Sequence, residues 1–142
     1  MTIIIPLIIW ALSQGFKFFH RSYKTGEFTL HNFLDYGGMP STHSAIVSSL
    51  MTVVGIKEGI DSTIFGVTVI FASFIIHDAL RLRSVVQEHS KMLNYLRDDF
   101  SKQERRLYPL TNERIGHKLS EVFAGIIVGI VGTIILTNFL GR

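Results

Sequence analysis

Cysteine is absent from the 142 residues, so no disulfide framework is available and nothing follows about redox compartment. Charge is the second scarcity. Asp, Glu, Lys and Arg make up only 18% of the chain, and they are clustered. None occurs in 2–16, 36–56, 62–77 or 122–141. Four charge-free runs in so short a chain exclude an ordinary soluble core and read as membrane segments. The apolar N-terminal stretch lacks a basic n-region and a small-x-small cleavage site, so it is expected to be a retained span. Neither an internal repeat nor a low-complexity tract is present.

What is there is 47% apolar residues in one domain-sized chain. The expected fold is all-α: a polytopic membrane helical bundle of about four transmembrane helices plus an amphipathic cytoplasmic helix. The whole of 1–142 forms a single membrane domain, with spans at about 2–19, 41–56, 63–79 and 121–140. Pro6 is expected to break the first span, and at about 24 Å the second falls short of a hydrocarbon core of about 30 Å. A polar end inside the bundle follows, tolerated where protein or a water-filled cavity surrounds it. The segment 80–120 is a long charged loop. In it Leu82, Val85, Val86, Leu93, Leu96 and Phe100 recur near helical spacing, fitting a helix on the membrane or a solvated extension of the third span.

Twelve of the fourteen Lys and Arg residues fall in the loops after the first and third spans, and only Lys57 and Arg142 fall opposite. By the positive-inside rule both loops are cytoplasmic and both termini outside, in a multi-pass protein of the cell membrane. The basic pI of about 9.4 therefore needs no nucleic-acid partner; membrane lipids with anionic head groups suffice.

Two clusters carry chemistry. In Gly37-Gly38-Met39-Pro40-Ser41-Thr42-His43-Ser44 the glycines permit close backbone approach, and Pro40 suits the first turn of a helix. The helix start offers N–H groups to a phosphate, Ser41 and Thr42 add hydroxyls, and His43 can protonate a leaving oxygen. A glycine loop before an ordinary helix start fits the same letters. In the second cluster, Arg114 precedes His117, and Glu121 lies four residues further on, one helical turn away. A carboxylate on one ring nitrogen leaves the other free to attack. His31 and Asp35 share that spacing and are taken as a decoy. On the four-span arrangement Lys17, His43, Asp78, Arg81, Arg83, His117 and Glu121 lie at one membrane face, suiting phosphoryl transfer as well as a set of snorkelling interface charges. The spans are otherwise almost free of ionisable groups, against a transporter. Gly125 and Gly129, with Gly132 a turn on, are spaced for close helix approach, within the bundle or in a homodimer.

At these residues the sequence resembles the type-2 phosphatidic acid phosphatase superfamily, in its divergent, small-membrane-protein branch related to acid phosphatase and vanadium-dependent haloperoxidase. The block at 37–45 is the specific part; Lys17, Asp78, Arg83, Gly116-His117 and Glu121-Val122 support it. The resemblance implies a phosphatase without metal or other cofactor, acting on a lipid phosphate or pyrophosphate through a phosphohistidine. It implies His117 as nucleophile, Glu121 as its orienting carboxylate, His43 as general acid and Lys17 as phosphate ligand. Ser41, Thr42, Arg83 and Arg114 would complete the phosphate site, supported by Gly37, Gly38, Pro40 and Asp78. Departures are Thr42 in place of glycine, Glu121 in place of aspartate, and Lys24-Thr25 where Arg-Pro is expected. Leu110-Thr111 stands where a Ser-Arg pair belongs. The alternative is a non-catalytic structural or lipid-binding membrane protein that retains the fold.

Overall fold

A computed structural model describes residues 2–26, 38–113 and 118–140. Gly37, Arg114 and His117 lie outside the described residues. All regular structure among those described is helical: α1 (Ile4–Thr25), α2 (Thr42–Glu58), α3 (Thr63–His77), a π-helical turn (Asp78–Leu82), α4 (Arg83–Arg97), a short α5 (Glu104–Leu107) and α6 (Leu119–Leu140). This is an all-α membrane bundle. The unbroken helix Thr63–Arg97 and α6 are each long and apolar enough to cross a membrane. Only 11% and 22% of their apolar windows are buried inside the protein, unlike the core helices of a soluble domain.

The helix ends differ from the sequence expectation in instructive ways. α1 runs on past Lys17 to Thr25, because Lys and Arg are good helix formers even where apolar sequence stops. Pro6 does not break it. It sits in the first turn, where its missing N–H would have had no intrahelical partner. Pro40 lies outside α2, immediately before the N-cap Ser41, and the Met39–Pro40 bond on its other side is cis. The helix expected from the amphipathic spacing is present as α4, and it is the extension of the third span: α3 continues through the π turn into α4.

α2 is the central helix: α1, α3 and α6 all pack on it, and its tightest partner is α6. The α2–α6 seam is made of small residues. A Cβ built on Gly125 would collide with the Ser41 carbonyl oxygen, and one on Gly129 with that of Ala45. A Cβ on Gly132 would meet Ile9 Cδ1 of α1 at 2.5 Å. The glycine face is therefore used inside the bundle, as small-xxx-small spacing allows. Fully buried Ser41, Ser44, Ser48 and Ser49 line the other side, and Ser49 Oγ bonds Thr133 Oγ1 at 2.6 Å. Ile5, Ile9, Val53, Val54 and Val122 supply the apolar core.

Candidate active site

One end of the bundle gathers the late part of α1, the starts of α2 and α6, and the π turn. The junction is tied by backbone: Ser41 N–H donates to the Glu121 carbonyl at 2.8 Å, holding the two helix starts together. Upstream of it Gly38 has φ +92°, a left-handed conformation that glycine adopts without strain. The chain then enters α2 through Ser41.

Ser41 is buried, and its Oγ accepts from Ser44 N–H at 3.4 Å and from Ser44 Oγ at 3.0 Å. Its hydroxyl thus caps the helix. The Thr42 hydroxyl is also turned inward, donating to Gln14 Oε1 of α1 at 3.1 Å. His43, the next residue, is exposed at the mouth.

The π turn places the charged pair. In an α-helix residues five apart diverge by about 140°. Here Arg83 N–H bonds the Asp78 carbonyl, so the two stack, and Arg83 Nε lies 3.6 Å from Asp78 Oδ2. Turns of this kind are frequent at functional sites. Arg83 Nη2 reaches His43 Nε2 at 3.5 Å. A guanidinium can only donate, so in this arrangement His43 Nε2 accepts and its proton sits on Nδ1.

Lys17 is half-buried on α1, within electrostatic reach of both Glu121 and Arg83. His43 is within reach of Arg83, Lys17 and Asp78. Five of the residues singled out in the sequence, Lys17, His43, Asp78, Arg83 and Glu121, therefore share one mouth although each comes from a different element, α1, α2, the π turn, α4 and α6. Glu121 Oε2 accepts from Lys118 N–H at 3.1 Å, which commits one carboxylate oxygen to the start of its own helix. Gln14 was missed. The signal was a lone amide in a charge-free run, one turn before Lys17. Among the described residues no cluster of His, Asp and Glu has the makings of a metal site.

Comparison with known proteins gives the chain a family and a relative. The family model described as "Divergent PAP2 family" matches residues 1–132. An uncharacterized membrane protein of Bacillus subtilis (strain 168), YuiD, is 37% identical over 114 residues, covering 72% of each chain. No solved structure matches.

Proposed function

The chain belongs to the Divergent PAP2 family, and from that premise we propose that it is a metal-independent phosphatase acting on a lipid-linked phosphate at the cytoplasmic membrane face. One observation carries this reading: Lys17, His43, Asp78, Arg83 and Glu121 converge at one end of a membrane bundle. Fixed cations beside a histidine, with a helix start between them, stabilise charge on a transferring phosphoryl group. The basic loops adjoin this end, so the positive-inside rule turns it to the cytoplasm.

In the proposed reaction Lys17 and Arg83 hold the phosphate oxygens. A ring nitrogen of His117 attacks phosphorus while the bond to the lipid oxygen breaks, and protonated His43 gives that oxygen its proton. Arg83 couples the two events: an incoming phosphate competes for its guanidinium, releasing His43 Nε2 to take up the proton it must donate. Water then attacks the phosphohistidine, His43 accepts its proton, and the N–P bond breaks to free phosphate. Glu121 would balance the imidazolium charge with the carboxylate oxygen not used at the helix start. Arg114 is the further cation proposed for the phosphate.

A non-catalytic, lipid-binding role is favoured by one feature. Leu110-Thr111 replaces the family's Ser-Arg pair, and the Thr111 hydroxyl is turned to Ser90 and Asn94 of α4. Purified protein in detergent, offered a panel of lipid monophosphates and pyrophosphates, separates the two. Release of phosphate that His43→Ala abolishes is expected. Lipid phosphate binding without release would establish the second reading.

A further inference from the structure

The family resemblance assigns no role to Asn94 or to the residues from Asp98 to Pro109, yet side chains on α4 and in the chain that follows make a dense set of polar contacts. Arg83, Ser90, Asn94 and Arg97 fall on one face of α4 at spacings of seven, four and three. The chain after α5 lies back along that face. Arg97 donates from Nε to the Tyr108 carbonyl at 2.6 Å and from Nη2 to the Arg105 carbonyl at 3.1 Å. Phe100 and Tyr108 pack ring on ring with centroids 5.5 Å apart. Pro109 keeps Tyr108 extended, which ends α5 and starts the return.

Asn94 grips the returning chain at Thr111. Its Oδ1 accepts from Thr111 N–H at 2.9 Å, and its Nδ2 donates to the Thr111 carbonyl at 2.9 Å. The same Nδ2 reaches Glu113 Oε1 at 2.7 Å, and Thr111 Oγ1 bonds Asn94 Oδ1 and the Ser90 carbonyl. An amide side chain presents one acceptor and two donors in a plane, so it pairs with both backbone groups of a residue as a neighbouring strand would. Thr111 is thus fixed midway along the face that leads from Arg97 down to Arg83 at the mouth. At the far end of the connection, Glu121 holds Lys118 N–H at the start of α6. Between Glu113 and Lys118 an extended chain spans at most about 18 Å. The four residues of that link include Arg114 and His117.

We propose that Asn94 is a positioning residue: by clamping Thr111 it sets where the link carrying Arg114 and His117 begins relative to the mouth. Its catalytic consequence rests on the phosphatase reading; its geometric content does not. The chain has no cysteine, so spin labels at Leu82→Cys and Leu110→Cys report the position of the returning chain against the π turn. Asn94→Ala removes the clamp while improving helix propensity, so α4 itself is not weakened. A narrow label separation that broadens or shifts in Asn94→Ala is expected. The same separation and width in both proteins would overturn the proposal. With an active wild type, Asn94→Ala should lower kcat roughly tenfold or more with KM little changed, since a small misplacement of a reacting group is costly. An unchanged kcat would overturn the positioning role. Distances that broaden in Asn94→Ala, together with a wild type that hydrolyses no lipid phosphate, would support the clamp and remove the phosphatase reading instead.

Discussion

The seam between α2 and α6 and the long helix formed by α3, the π turn and α4 are built from opposite materials. The seam is glycine and serine, buried and closely approached, with hydroxyls satisfied across it. The long helix is large and apolar, with Val67, Ile70, Phe71 and Phe74 exposed, and it holds Asp, Glu, Lys and Arg only from Asp78 onward. Lipid is as apolar as leucine, so large side chains gain nothing by leaving it, whereas small ones let two backbones approach and pack. The seam therefore sets the frame. The long helix, gripping α2 on one side, carries charge to the mouth.

Substitutions sharpen this contrast in order of size. Gly129→Leu forces a side chain against the Ala45 carbonyl and Ser48, and should cost about 3 kcal/mol or more. Gly66→Ala on α3 meets nothing within 4 Å and should be neutral or slightly stabilising. Unfolding in mixed micelles measures both; equal effects would end the distinction. At the mouth, Arg83→Lys loses the fork that reaches Asp78 and His43 together, and phosphate release should fall on the order of 100-fold. A double-mutant cycle of Ser49→Ala and Thr133→Val should give a coupling of about 0.6 kcal/mol, the usual size for a hydroxyl bond between membrane helices.

The smallest effect lies beyond α4. Ser101 N–H donates to Glu104 Oε2 at 2.9 Å while Glu104 N–H donates to Ser101 Oγ at 3.4 Å. Hydrogen bonds from the Ser101 side chain and backbone hold the Glu104 carboxyl below its ordinary 4.5. A depressed folded value means the contribution is complete above the unfolded value and is lost as pH falls through the folded one. Protection of the Ser101 and Glu104 amides against exchange, taken relative to the intrinsic rate at each pH, should therefore fall below about pH 4, and Glu104→Gln should remove that pH dependence.

Apolar runs made the bundle legible, because membrane helices announce themselves by what they exclude. The amphipathic spacing from Leu82 to Phe100 likewise announced α4. The end of α1 was not legible: a helix that leaves the apolar layer stays a helix, and hydropathy reads only the layer. Five-residue spacing between Asp78 and Arg83 matches no helical period, so their stacking appears only once the π turn is seen. The grip of Asn94 on Thr111 spans seventeen residues with no periodic signal. The site was legible as chemistry, in Lys17, His43 and Glu121, and their shared mouth depended on the order of the spans. The inward turn of the Ser41 and Thr42 hydroxyls was hidden, since a cap and a phosphate ligand use the same residue types.

The proposed reaction is covalent, with phosphate passing through a histidine. Incubating His43→Ala with an activated aryl phosphate removes the need for leaving-group protonation but leaves hydrolysis of the intermediate without its base. Acid-labile phosphate should then accumulate on the protein and map to His117. The same treatment of His117→Ala should leave the protein unlabelled. Aryl phosphate turnover surviving in His117→Ala would contradict the account.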